Sequence, residues 1–139
     1  MNLNRKKYIA VVQCQIVVER CSGFLCEKSF HDRSGGFKGL KENGGYRVSY
    51  LTCGGCCGRA LQRKIYDLII TSKEYDEINK DEILVQFSSC ITNESYHGPK
   101  CPHLDYLVDL MKKLKVDVSY GTHISDLSEE RRKKGVYKS

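Results

Sequence analysis

The sequence has no long hydrophobic run, and this absence argues against a membrane-spanning protein. No stretch approaches the roughly 18 consecutive apolar residues that a membrane-spanning helix needs. The basic residues Arg5, Lys6 and Lys7 precede an apolar run at residues 8–12, as in a secretory signal peptide. Polar residues follow that run and no small-residue cleavage site comes after it. We therefore expect a buried strand here, in a cytoplasmic protein with no membrane partner.

The sequence also has no internal repeat, no low-complexity stretch and no linker. We therefore expect one domain over residues 1–139, which is an ordinary length for a single domain. The charge excess is moderate, since 23 basic and 17 acidic residues leave a net charge of +6. Much of that excess lies near the chain ends, including a basic tail at residues 125–139, so a nucleic-acid partner is not expected.

Cysteine is the residue that the sequence has in abundance, with eight among 139 residues. Thiols stay reduced in the cytoplasm, where clustered cysteines more often bind metal or take part in redox chemistry than form structural disulfides. We therefore interpret the cysteines as ligands or reactive thiols. A metal ion is the partner that this composition predicts.

Four short segments rich in β-branched and apolar residues predict strands at residues 8–14, 46–53, 82–90 and 116–120. Apolar residues at helical spacing predict two crossover helices, one around residues 60–69 and one around residues 104–114.

Two further helices are predicted outside these crossovers. One covers residues 21–32 and ends before Gly35 and Gly36, and Ser125 is predicted to cap a last helix that runs to residue 134. Strands that alternate with helices favour a parallel sheet covered on both faces. The predicted fold is a small three-layer, doubly wound α/β domain with a mostly parallel sheet of about four strands.

Each predicted strand ends in or is followed by a residue that can bind metal. These residues are Cys14, Cys53, Cys90 and, three residues after the fourth strand, His123. The carboxyl ends of parallel strands lie at one edge of the sheet, where open α/β folds bind their ligands. The sequence therefore predicts that these residues converge, with sulfur atoms about 4 Å apart if a metal ion bridges them. A buried cysteine that acts only as a small hydrophobic residue is the alternative for each strand end.

Residues 53–56 form the sequence Cys-Gly-Gly-Cys, a spacing that lets both sulfur atoms reach one metal ion. The glycines permit a tight turn between strand and helix. The same spacing suits a dithiol that exchanges with disulfides, so the Cys53 and Cys56 pair alone does not separate metal binding from redox chemistry.

The segment after Cys90 adds further candidate ligands, namely Cys101 and His103, with His97 four residues before Cys101. Thiolate and imidazole groups in one loop suit a metal of borderline softness such as zinc. Near the predicted first helix, Cys21 is close enough to the same sheet edge to join the site, while Cys26 fits a core position equally well.

These residues resemble the CGGC-domain family, small proteins named for a central Cys-Gly-Gly-Cys. The strand that ends in Cys14 is similar to the family's opening, and residues 53–56 match the motif that names it. Residues 90–92, 101–103 and 121–123 resemble later family signatures, so the resemblance covers residues 7–124. It implies metal binding through cysteine and histidine, without a known reaction. Cys57 departs from the pattern, since proline is expected there.

The leading interpretation is a protein that binds zinc, or alternatively an iron–sulfur cluster, through thiolates with or without an imidazole. The metal ligands that we predict are Cys14, Cys53, Cys56, Cys90, Cys101, His103, His123 and Cys21.

Two enzymatic alternatives remain. One is a thiol–disulfide oxidoreductase that uses Cys53 and Cys56. The other is a phosphatase or arsenate reductase, because Cys53 and Arg59 have the Cys-x5-Arg spacing of a phosphate-binding loop. Against this second reading, Ala60 stands where that loop usually has Ser or Thr.

Overall fold

A computed structural model of the protein describes residues 3–55, 58–93 and 100–124, together with residues 130 and 134. Three residues discussed above, Cys56, Cys57 and His97, lie outside the described residues, and so does nearly all of the predicted last helix after Ser125. None of the described helices is both long and apolar enough to cross a membrane.

The centre of the fold is a four-stranded sheet in which every neighbouring pair of strands is parallel. Its strands are β1 (Tyr8–Gln13), β2 (Arg47–Thr52), β3 (Ile83–Phe87) and β4 (Asp117–Tyr120). The spatial order is β2-β1-β3-β4. The predicted α/β class and parallel sheet are thus confirmed. Strands β1, β2 and β3 end one to three residues earlier than predicted, so that Cys14, Cys53 and Cys90 lie beyond them, whereas β4 ends where it was expected to end.

The helices are α1 (Gln15–Val18), α2 (Phe24–Asp32), α3 (Arg59–Asp76), α4 (Ser89–Thr92) and α5 (Leu104–Leu114). Helices α3 and α5 match the two predicted crossovers. Helix α2 begins three residues later than predicted, after Gly23, whose φ of 81° is a left-handed conformation that suits glycine. Helices α1 and α4 are single turns, which are too short to produce a helical pattern in the sequence.

Two hydrophobic clusters cover the two faces of the sheet. On one face α3 and α5 pack against alternate residues of the central strands, among them Ala10, Val12, Val85 and Phe87. On the other face Phe30 of α2 and Phe37 pack against Ile9, Val11 and Leu84. The central strands β1 and β3 are therefore buried on both sides, as expected of a parallel sheet between helical layers.

The direction in which successive strands are added reverses at β1, in the centre of the sheet. The chain passes from β1 to β2 on one side, and β3 then returns to pair with the other side of β1. In open α/β sheets the crevice for ligands lies outside the carboxyl ends of the strands where the order reverses in this way. The ends of β1 and β3, followed by Cys14 and Cys90, flank this point.

The loop after β4 is held by very close packing against a short 3₁₀ helix at Gly35–Phe37. The Gly36 N–H donates to the Thr122 carbonyl at 2.9 Å. The buried Gln86 amide donates to the carbonyls of Gly36 at 3.1 Å and Gly121 at 2.6 Å. A Cβ atom on Gly36 would lie 2.0 Å from the Gly121 oxygen, so only glycine fits without displacing the loop.

Replacement of Gly36 tests this packing. We expect Gly36→Ala to lower the free energy of unfolding by about 1–3 kcal/mol, because backbone atoms rather than a mobile side chain must move. Gly45→Ala is the matched control, since nothing lies within 4 Å of a Cβ at Gly45. We expect that control to stay within about 0.5 kcal/mol of the wild type in urea unfolding. Equal stability of the two variants would contradict the close packing.

Candidate metal centre

Cys14 and Cys53 follow the neighbouring strands β1 and β2. Cys14 precedes α1 in an extended conformation, with φ of −70° and ψ of 125°. Cys53 is buried, and its N–H donates to the Gln13 carbonyl at 3.1 Å. Beside it the Thr52 hydroxyl donates to the Gln15 side chain at 2.6 Å. These bonds join the segments that leave the two strands, so the two cysteines lie at the same edge.

Three glycines between Cys53 and α3 have left-handed backbone conformations. Gly54 and Gly55 have φ values of 85° and 75°, in the left-handed region. Gly58 has a φ of 114°, and a Cβ there would lie 2.7 and 2.9 Å from Leu110 and Leu107 of α5. Gly58 is therefore packed against α5, the helix that follows Cys101.

Arg59 is the first residue of α3, and it is exposed. Cys53 lies six residues before it, outside the first turn of the helix. The phosphate-loop interpretation rests on this pair, but the intervening Cys56 and Cys57 lie outside the described residues.

Cys90 lies in α4, just beyond β3, and a hydroxyl and a backbone N–H lie near its sulfur. The Ser88 hydroxyl lies 2.8 Å from Cys90 Sγ. Burial raises the pKa of the Cys90 thiol, while hydrogen bonds from the Ser88 hydroxyl and the Cys14 N–H act in the opposite direction. Negative charge on Cys26 and Cys14 adds to the rise in this pKa. Cys90 is therefore a desolvated thiol close to other thiols.

Cys101 approaches the same edge from the segment before α5. Its N–H donates to the Ile91 carbonyl at 2.7 Å, which ties this segment to α4. Burial raises the pKa of the Cys101 thiol, and a hydrogen bond from the His103 N–H opposes the rise. Charges on Cys53 and Cys14 raise it further. Cys14 thus interacts electrostatically with both Cys90 and Cys101.

The four thiols share one environment. Cys53 belongs to the hydrophobic cluster under α3 and α5, and Cys14, Cys90 and Cys101 pack against that cluster. Their arrangement is open, however. Among the residues that the structure describes, which leave out Cys56, no three Cys, His, Asp or Glu side chains are gathered closely enough to hold a metal ion.

The structure also describes three other predicted ligands, His103, His123 and Cys21. His103 is exposed immediately before α5, and His123 is half-buried beyond β4. The Cys21 N–H donates to the Val17 carbonyl at 2.9 Å. Within the described ranges, no hydrogen bond joins either imidazole or the Cys21 thiol to the four cysteines, so the three residues remain predictions from the sequence.

The structure shows that Cys26, which was not among the predicted ligands, also lies near the end of the sheet. Its sulfur lies 3.2 Å from Thr122 Oγ1. Cys26 lies one helical turn before the buried Ser29 and the half-buried Phe30, which identifies the inward face of α2. This spacing is visible in the sequence, but the neighbouring apolar pair Phe24 and Leu25, both exposed, obscures it.

The chain is similar to one protein family over most of its length. The family model described as the CGGC domain matches residues 8–123. An uncharacterized protein of the archaeon Methanocaldococcus jannaschii is 28% identical over 123 residues, which cover 83% of this chain and 85% of that protein. No solved structure matches the chain with significant similarity.

Alkylation of the metal-free protein tests the environment of the partly buried thiols of Cys90 and Cys101. Because burial raises the pKa values of Cys90 and Cys101, we expect less thiolate at neutral pH than an ordinary cysteine has. The rates of alkylation by iodoacetamide should reach half-maximum above about pH 8.5, the usual cysteine value. Mass spectrometry of the two peptides measures these rates, and the urea-unfolded chain is the control. A lower midpoint in the folded protein would contradict this environment.

Proposed function

Because the chain belongs to the CGGC-domain family, we propose that it is a metal-binding protein that holds zinc through thiolates at the carboxyl edge of its sheet. One observation carries the proposal. Cys14, beside the point where the strand order reverses, packs against the same hydrophobic cluster as Cys90 and Cys101 and interacts electrostatically with both. A cluster of thiolates is the donor set that zinc and iron–sulfur clusters prefer.

The candidate ligands are five cysteines, of which zinc would take four, namely Cys14, Cys53, Cys56, Cys90 and Cys101. The donor chemistry fits zinc, since a structural zinc site takes four such ligands in a tetrahedron. Binding would draw the sulfur atoms to about 4 Å from one another, the spacing set by zinc–sulfur bonds of ~2.3 Å.

The residues around these thiols have defined roles in this proposal. Each sulfur must lose its proton to become a ligand, so binding releases protons from Cys90 and Cys101. The Ser88 hydroxyl and the Cys14 N–H then donate to the Cys90 thiolate, and the His103 N–H donates to Cys101. When bound, the ion would cross-link the loops after β1, β2 and β3 and stabilise the fold.

An iron–sulfur cluster is the alternative occupant, because the five proposed cysteines also suffice for all-cysteine ligation. Protein purified without oxygen separates the two. Zinc gives no visible absorption, whereas an iron–sulfur cluster absorbs broadly near ~400 nm. Elemental analysis of the same sample identifies the metal.

Removal of ligands tests the proposal. We expect Cys14→Ser and Cys53→Ser each to lose stoichiometric zinc, because hydroxyl groups are poor replacements for thiolates. Elemental analysis after gel filtration measures the zinc content, and His31→Ala, at an exposed residue of α2, is the control that should retain zinc. Parallel His103→Ala and His123→Ala variants test the predicted imidazole ligands, and loss of zinc in either would add that histidine to the site.

The opposite pattern would contradict zinc binding. In that pattern Cys14→Ser, Cys53→Ser and Cys101→Ser all retain the metal content of the wild type. If Cys53→Ser also abolished exchange with a small disulfide, the pair Cys53 and Cys56 would act as a redox dithiol instead.

A further inference from the structure

β2 forms one edge of the sheet, since among the described strands it pairs only with β1. The N–H groups of Arg47 and of Cys53, just after β2, donate to carbonyls at the two ends of β1 at 2.9 and 3.1 Å. Successive residues of a strand direct their hydrogen-bonding groups to opposite sides, so the N–H and C=O groups of Val48 and Tyr50 point away from β1. No described residue pairs with these groups, which leaves them available to another strand.

A groove of about 430 Å³ runs beside this edge, between β2 and α3. Most of the polar side chains that line it are already paired. These pairs are Arg47 with Asp76, Tyr8 with Ser49, Thr71 with Asp67, and Lys64 with the carbonyl and hydroxyl of Thr52. A small polar ligand would therefore have to break bonds within the protein, whereas the outward backbone groups of β2 can bind without such a change. Addition of a strand is the mode of binding that this edge favours.

Two exposed tyrosines border the same edge. Tyr50 of β2 is 39% exposed, and Tyr75 of α3, which lines the groove, is 76% exposed. The groove also has an apolar part formed by Leu51, Leu68 and Ile78. A partner that covers these aromatic side chains and fills the apolar part of the groove therefore gains stability from their burial.

The edge is complementary to itself. Two copies related by a two-fold axis pair their β2 strands antiparallel. With the axis at Ser49, Val48 of each copy lies opposite Tyr50 of the other copy, and each such pair of residues exchanges two backbone hydrogen bonds. The side chains of each pair are one aliphatic and one aromatic group, a combination that stabilises antiparallel strands. Arg47 lies opposite Leu51, so no like charges face each other across the two strands.

The charges beside the groove favour the same arrangement. Lys64 lies at the end of the edge near Thr52, because its Nζ donates to the Thr52 carbonyl at 3.0 Å. Asp76 lies at the other end, where it forms an ion pair with Arg47. Antiparallel pairing therefore brings Lys64 of each copy to the end at which Asp76 of the other copy lies, so that opposite charges approach each other. Tyr75, next to Asp76 in α3, then lies beside the open end of the groove of the other copy.

We propose that two copies of this chain associate through antiparallel pairing of their β2 strands, with Tyr75 of each copy in the groove of the other. The opposite edge, β4, has the same Val-Ser-Tyr sequence at residues 118–120 but is four residues long, compared with six in β2. It is followed by Gly121, whose φ of 90° ends the extended path of the chain. The inference does not rest on the proposed metal-binding function, because the contact includes none of the candidate ligands.

Sedimentation velocity of the full chain over a range of concentrations tests the association. A thiol reductant in the buffer excludes dimers linked by disulfides. We expect a monomer–dimer equilibrium that shifts to the dimer as the concentration rises. In hydrogen exchange followed by NMR, the Val48 and Tyr50 amides should become protected with that shift. The Val118 and Tyr120 amides, which face outward from β4, should exchange at an unchanged rate.

Proline variants at the two edges separate the contact from effects on folding. Val48→Pro removes an N–H that faces away from β1, a position where an edge strand tolerates proline. We expect the dissociation constant of the dimer to rise at least about tenfold, because one of the two hydrogen bonds of each pair is lost. Val118→Pro, in the same Val-Ser-Tyr sequence at the other edge, is the matched control and should dimerise as the wild type does. Circular dichroism verifies that each variant folds.

A second variant leaves the backbone of β2 unchanged. Tyr75→Ala removes the side chain that enters the groove of the other copy, and it should weaken dimerisation about tenfold. Tyr66→Ala is its matched control, because Tyr66 is 56% exposed on the same helix and does not line the groove.

The outcomes divide clearly. Protection of Val48 and Tyr50 that rises with concentration, together with weaker dimerisation of Val48→Pro and Tyr75→Ala, supports the proposal. A monomer at every concentration overturns it and leaves the edge open to a different chain. A dimer that both variants leave unchanged, or one that protects Val118 and Tyr120 instead, also overturns it. Zinc content is measured separately, so failure of this inference and failure of the proposed function are distinguishable.

Discussion

The arrangement of the candidate site depends on one constraint, the parallel pairing of β1 with both β2 and β3. Parallel strands place all of their carboxyl ends at one edge. Helical layers bury the central strands on both faces, so a shift in strand register would expose apolar residues such as Val11 and Val85. Cysteines that are far apart in the chain therefore lie at the same edge of the sheet, because the hydrophobic core fixes the strands.

Burial and hydrogen bonding have opposing effects on the pKa values of these thiols. Burial raises the pKa of Cys90 and Cys101 and so favours the neutral form. Hydroxyl and backbone N–H donors lie beside the same sulfur atoms, where they stabilise the thiolate and lower the pKa. This balance suits a ligand set that stays protonated alone and ionises when a cation arrives, because the cation then replaces the protons as the source of positive charge.

Much of this organisation could be predicted from the sequence. β-Branched runs that end near cysteine predict the strands, and apolar spacing predicts α3 and α5, because these patterns reflect burial directly. Single-turn helices have no such pattern, so α1 and α4 could not be predicted. The start of α2 was placed three residues early because the left-handed conformation of Gly23 is a property of the folded chain. The contact between Cys26 and Thr122 could not be predicted for a similar reason, because it joins residues 96 positions apart that meet only in the folded chain.

X-ray absorption at the metal edge of the purified, zinc-loaded protein tests the central claim most directly, because it counts the atoms bound to the ion. The account predicts a first shell dominated by sulfur at ~2.3 Å, the zinc–thiolate distance. A first shell of only nitrogen and oxygen at about 2.0–2.2 Å would contradict it, since the ion would then lie away from the cysteines.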